Sequence, residues 1–173
     1  MNAQKYTKKS LEAIQAAQSL ALAHGNQMIE QVHLLAALLG QEGGLIPQLL
    51  RRLGVTVESL EAAVNQEIER LPKVSGGGRE ADRFYISRQV DAAINAAEAL
   101  AGQMKDEFVS VEHLFLALLD HADGTLEPLL RTYSIQREDC LKTLQAVRGS
   151  QRVTSDNPEE TYDALKKYGT DLV

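Results

Sequence analysis

Shifting residues 7–64 of this chain by 80 positions lays them, without a gap, on residues 87–144. Ala13, Ile14, Ala16, Ala17, Leu20 and Ala21 fall on Ala93, Ile94, Ala96, Ala97, Leu100 and Ala101. The run Val32-His33-Leu34-Leu35 meets Glu112-His113-Leu114-Phe115, and Gly44, Arg51 and Glu58 meet Gly124, Arg131 and Glu138. A shared helical composition would align alanines and leucines. It would not set histidine, glycine, arginine and glutamate at one constant offset. The chain is therefore two copies of one unit, about 6–71 and about 86–148, and whatever the unit folds into must be built twice.

Each copy reads as four helices, which makes the fold class all-α, two tandem pseudo-symmetric four-helix repeats. The first helix opens after Thr7 or Ser87, hydroxyl residues that can accept from the orphan N–H groups of a first turn. Its apolar stripe, Leu11, Ile14, Ala17 and Ala21 or Val90, Ile94, Ala97 and Ala101, has helical spacing. The second is the His-Leu run, apolar nearly all round and so expected to be buried, with Ser110 as N-cap in the second copy. The third follows Gly44 or Gly124 and carries an early proline, Pro47 or Pro128, where a missing N–H costs nothing. The fourth opens near Thr56 or Gln136 and should bury Leu60, Val64 and Ile68, or Leu141, Leu144 and Val147. Leu71-Pro72 and Gly149 stop it. Residues 72–84, with Ser75-Gly76-Gly77-Gly78 among them, are expected to form a mobile connection between the repeats, the second of which resumes near 86.

Charge narrows the partners. The chain carries a net −6; residues 1–70 hold 6 Lys/Arg against 7 Asp/Glu, and residues 87–148 hold 6 against 10. Neither copy offers the basic face that phosphates demand, so nucleic acid is not an expected partner. No apolar run approaches the ~20 residues needed to span a bilayer, and none follows the N-terminus as a signal would. One cysteine, Cys140, cannot form an internal disulfide, which suits a reducing compartment. The expectation is a cytoplasmic, monomeric chain with no membrane contact.

Catalytic readings find little support. No GxxxxGK[ST] loop occurs, and Gly76-Gly77-Gly78 is followed by Arg79-Glu80. His24, His33, His113, His121 and Cys140 show no metal-ligand spacing. Cys140 aligns with Leu60 and reads as a small core hydrophobe. His33 and His113 recur at equivalent places, which favours a repeated capping or bridging role over a single active site. Asp106, Glu107 and Glu112 are either solvated surface or, beside an exposed Phe108 and Val109, the carboxylate rim of a peptide-binding edge.

The tandem unit, with Val32-His33-Leu34-Leu35 and Glu112-His113-Leu114-Phe115 opening each second helix, resembles the Clp N-terminal repeat domain of AAA+ unfoldases over residues 1–149. The stretch Val147-Arg148-Gly149-Ser150-Gln151-Arg152-Val153-Thr154, then Asp156-Asn157-Pro158-Glu159 and Ala164 to Leu172, is similar to the linker and lead-in of ClpB-type disaggregases. Residues 150–173 would then be a linker to an absent ATPase module, disordered or loosely helical from about Pro158 to Lys167.

The resemblance implies a non-enzymatic, substrate-recruiting and regulatory domain that binds exposed apolar segments of unfolded or aggregated polypeptides. It places the substrate groove near the end of the second unit's first helix and the following loop. Carried over residue by residue, the groove comprises Leu100, Asp106, Phe108, Val109 and Glu112, with Thr7 associated. No cofactor is implied for this chain; ATP, Mg, a homohexameric ring and co-chaperones of the Hsp70 system belong to the full-length relatives. Certain ClpC relatives read phosphoarginine with glutamates at the starts of both second helices; here Glu112 faces Val32 in the other copy, which argues against that specificity. The alternative is an adaptor-docking N-domain of a ClpC- or ClpA-type protease unfoldase; a free-standing regulatory repeat protein is a third reading.

Overall fold

The computed structural model describes residues 2–74 and 85–148. The expectations for residues 75–84 and 149–173 lie outside these. Within them the four-helix reading holds in both copies. Helices α1 (Lys8–Ala23), α2 (Gln31–Leu39), α3 (Leu45–Arg52) and α4 (Val57–Glu69) are answered by α5 (Arg88–Gln103), α6 (Val111–Asp120), α7 (Leu126–Thr132) and α8 (Arg137–Arg148).

The caps repeat with the sequence. Thr7 Oγ1 accepts from the Ser10 N–H at 3.2 Å and opens α1; Ser87 Oγ accepts from the Val90 N–H at 3.1 Å and opens α5. Gly25 closes α1 at φ 68° and Lys105 closes α5 at φ 59°, with Asn26 N–H and Asp106 N–H reaching back to the Ala21 and Ala101 carbonyls at 2.9 and 2.8 Å. Gly54 and Ser134 close α3 and α7 in the same left-handed conformation, at φ 83° and 54°. Each is the six-to-one hydrogen bond of a Schellman motif. The third helix of the second copy starts later than Gly124 suggests, because Asp123 Oδ1 accepts from the Thr125 and Leu126 N–H groups and sets the first turn there.

α2 and α6 are buried almost all round and pack against each other in the centre, each also touching helices of its own copy. Their neighbours α1 and α5 turn small residues toward them: Ser10, Ala13, Ala17 and Ala21, and Ala93, Ala97 and Ala101. That shifts the buried face of α1 one position from the predicted stripe, leaving Leu11 and Ile14 half-buried. Small residues win there because they let the two helices approach. In α8, Cys140 and Leu144 are buried, whereas Leu141 and Val147 only lean on the core. Cys140 occupies the place of Leu60, both fully buried, and burial pushes its thiol up to about 11, with Asp139 adding to the effect. Among the described residues no helix is long and apolar enough to cross a membrane.

Two short pairings depart from a purely helical plan. Strand β1 (Met28–Ile29) runs parallel to β2 (Tyr85–Ile86), and Ser87 N–H donates to the Ile29 carbonyl at 2.9 Å. In the same manner Tyr6 bridges Val109, with Thr7 N–H on the Val109 carbonyl at 2.9 Å and Val109 N–H on the Lys5 carbonyl at 2.7 Å. The segment leading into each copy is thus hydrogen-bonded to the other copy. Gln31, fully buried, adds a third tie: its Nε2 donates to the Gln89 and His121 carbonyls at 3.1 and 2.8 Å, and its Oε1 accepts from Asp123 N–H at 2.8 Å. The start of the predicted mobile connection is also held, since Val74 N–H donates to the Gly25 carbonyl at 2.7 Å and Asn26 Nδ2 to the Pro72 carbonyl at 3.3 Å.

Candidate functional site

The repeated histidines answer to a structural account. His33 sits in the first turn of α2, where its Nδ1 accepts the Glu30 N–H at 2.8 Å; His113 does the same for Ser110 N–H at 2.9 Å. A backbone N–H can only donate, so Nδ1 is the acceptor and the ring proton resides on Nε2. From Nε2 each ring donates at 2.8 Å, His33 to Asn26 Oδ1 and His113 to Asp106 Oδ2. Each imidazole therefore caps a central helix and bolts it to the loop before it. Burial, with the charge of His24 in support, pushes His33 down to about 4. Ser110, His113 and Asp106 resemble a hydrolytic triad in composition. All three are buried, and the first copy carries the same cap with Glu30 and Asn26, so the arrangement reads as architecture.

The loop that His113 holds forms one wall of an open cleft of about 350 Å³. Asp106, Glu107, Phe108 and Val109 line that wall, and Glu98, Ala101 and Gly102 of α5 and Asn2 and Lys5 of the N-terminal segment complete the lining. The segment is fixed there by its pairing with Val109 and by Tyr6, whose hydroxyl donates to Glu98 Oε2 at 2.6 Å. Burial and the Glu98 carboxylate both drive the Tyr6 hydroxyl to keep its proton.

Of the six residues expected at a groove, Asp106, Phe108 and Val109 line this cleft. Phe108 is half-buried and presents an apolar surface. Leu100 is half-buried and leans on the core, outside the lining. Val109 is 4% exposed, so its expected exposure is corrected: its backbone is spent on the pairing with Lys5 and Thr7, and that pairing turns the side chain inward. Thr7 and Glu112 are fully buried. Glu112 is closed off because α6 is buried around its whole circumference; its Oε1 accepts from Ser110 Oγ at 3.1 Å. The carboxylates beside the cleft are therefore Glu98, Asp106 and Glu107. Asn2 and Lys5 were missed in the sequence because nothing there shows that the N-terminal segment crosses to the second copy, and Glu98 and Gly102 because they lie off the buried stripe of α5.

The chain matches the Clp repeat (R) N-terminal domain family over residues 5–133. It is 44% identical, over 174 aligned positions, to the Chaperone protein ClpB of Nitratidesulfovibrio vulgaris, covering 100% of this chain and 20% of that protein. The chain thus spans about a fifth of the length of the curated relatives it matches. Its fold superposes on the Hsp104 N-terminal domain from Candida albicans with a TM-score of 0.78 at 23% identity, covering 90% of this chain and 99% of the other. It is also similar, at a TM-score of 0.63 and 19% identity over 90% of this chain and 91% of the other, to a ClpV N-domain in complex with a VipB peptide.

Proposed function

The chain belongs to the Clp N-terminal repeat domain family, as it occurs in ClpB chaperones, and from that premise we propose that it recruits unfolded or aggregated polypeptides to a cytoplasmic, ATP-driven, hexameric disaggregase. The observation that carries this reading is the cleft: a half-buried Phe108 at an open edge, rimmed by Glu98 and Glu107 and held by a rigid histidine-capped loop. An apolar anchor in an acidic rim suits the mixed apolar and basic segments that unfolded chains expose. The peptide-bound ClpV N-domain shows that a relative of this fold takes a peptide. Thr7, Val109 and Glu112 support the site from beneath, and Asp106 fixes its loop. ATP and Mg, and co-chaperones of the Hsp70 system, would engage parts of the machine outside this chain.

Completing the burial of Phe108 against a client contributes about 1 kcal/mol, roughly a fivefold change in affinity. The test is titration of reduced, S-carbamidomethylated lysozyme, an unfolded basic client, against the chain and against Phe108→Ala. Client binding several-fold weaker at a nearly unchanged melting temperature is expected. Equal binding by a folded Phe108→Ala would place the client surface elsewhere.

A further inference from the structure

The duplication supplies a comparison internal to the molecule. In the first copy, the loop after α1 carries a passenger: residues 71–74, arriving from α4, lie against it in extended form. Lys73 pairs antiparallel with Asn26, Val74 N–H donates to the Gly25 carbonyl at 2.7 Å, and the Pro72 carbonyl accepts from Asn26 Nδ2 at 3.3 Å. Leu71, Pro72 and Val74 line what remains of the cleft there, about 100 Å³. In the second copy the matching loop, Lys105 to Phe108, edges the larger open cleft. Lys105 shares the left-handed φ of Gly25 and is followed by the same bond back to its helix, Asp106 N–H to the Ala101 carbonyl as Asn26 N–H to Ala21, and both Lys105 and Glu107 are exposed.

We propose that the second copy binds an extended segment of a client polypeptide in the pose that Pro72-Lys73-Val74 adopts on the first. The client's backbone pairs antiparallel with residues 105–107, one of its N–H groups donates to the Lys105 carbonyl, and a flanking aliphatic residue packs on Phe108. This rests on the client-capture reading above and specifies how capture works: main-chain hydrogen bonds supply affinity for many sequences, and the side-chain positions supply preference.

Space permits the pose. A Cβ at Gly25 would meet Val74 O at 3.8 Å and Lys73 Cβ at 3.9 Å, ordinary contacts, so the side chain that Lys105 adds does not obstruct a strand there. Chemistry gives it a preference. Asn26 donates to its passenger; Asp106 has no amide to donate and its carboxylate is turned inward onto His113, so the negative charge at the cleft comes from Glu98 and Glu107. The client residue that corresponds to Lys73 is therefore basic, drawn by Glu98 and Glu107 and flanked by aliphatic residues.

The probe is a capped peptide Arg-Leu-Pro-Lys-Val, copied from residues 70–74, titrated into the isotope-labelled full chain and followed by amide chemical shifts. Shifts centred on residues 105–109 are expected, with affinity at least tenfold weaker when the valine nitrogen is methylated and several-fold weaker when lysine becomes glutamate. Equal binding by the N-methylated peptide would overturn the backbone pairing. So would shifts confined to other faces, or a peptide that fails to bind while unfolded lysozyme still does; either leaves client capture standing. Failure of both probes overturns the two together. By the 80-residue offset, residues 151–154 are the counterparts of 71–74. Coupled shifts at 151–154 would assign the cleft to the chain's own segment and overturn the proposal in that direction.

Discussion

Ser134 closes α7 at φ 54° in the place where Gly54 closes α3 at φ 83°. An L-residue in the left-handed region costs roughly 1–2 kcal/mol, because its Cβ crowds the following carbonyl. Ser134 is exposed, so replacing it with glycine removes no core packing, and the hydrogen bond from Ile135 N–H to the Leu130 carbonyl at 2.9 Å stays. Glycine returns about 0.5–1 kcal/mol through its larger unfolded-state entropy. The net for Ser134→Gly is a gain of about 0.5–1 kcal/mol, which for a domain of this size moves the melting temperature up by about 2 °C. The opposite exchange, Gly54→Ser, should lose a similar amount, since a Cβ at Gly54 meets nothing within 4 Å and only backbone strain is added. Lys105→Gly and Gly25→Lys form a second matched pair with the same signs. Urea unfolding followed by circular dichroism measures all four, read as a change in midpoint at constant slope. If Ser134→Gly is neutral or destabilising, or Gly54→Ser costs nothing, the two helix ends do not share the strain assigned to them.

His33 should make stability pH-dependent. Its folded-state value lies near 4, below the usual 6.5. Between those values the unfolded chain takes up a proton that the folded chain refuses, so stability is complete above about 6.5 and falls toward pH 4 at up to ~1.4 kcal/mol per unit. His33→Gln, which can both accept from Glu30 N–H and donate to Asn26, should flatten that slope; an unchanged slope by urea titration at several pH values would count against burial as the cause. Gln31→Leu strips three hydrogen bonds from buried or half-buried groups across the repeat boundary and should cost about 2–4 kcal/mol. A loss under 1 kcal/mol in the same assay would mean that water or rearrangement satisfies those groups. Calorimetry should show no saturable ATP binding by this chain, because no phosphate-cradling loop is present in its sequence.

How much of this was legible in the sequence varied with the distance over which the cause acts. Thr7, Ser87 and the two central helices could be read because capping and all-round apolarity are local, and the offset of 80 checked each against its twin. The histidines' role followed from the recurrence itself, although their partners, Asn26 and Asp106, stand at equivalent places and could have been paired with them from the same alignment. Gln31 was not legible: its counterpart is Val111, so the repeat offered no hint that one buried amide joins the copies. The cleft was half legible. Asp106 and Phe108 were found, but Val109 and Glu112 looked exposed because a polar or small residue near a helix start usually is. The crossing of the N-terminal segment covers Val109, and the burial of α6 around its whole circumference closes off Glu112.

That crossing is reciprocal: Thr7 N–H reaches Val109 and Ser87 N–H reaches Ile29, both at 2.9 Å. Were the two copies separate molecules, the same bonds would describe a two-fold homodimer whose subunits trade their leading segments, each completing the other. Such a pair depends on concentration. Fusing the copies head to tail replaces a bimolecular encounter with an intramolecular one at millimolar effective concentration. It also frees each half to diverge, because a substitution no longer appears twice. Asn26 and Asp106, Val32 and Glu112, and a cleft of about 100 Å³ beside one of about 350 Å³ are what that freedom permits: differences that a single duplicated chain can carry and a symmetric pair of identical subunits cannot.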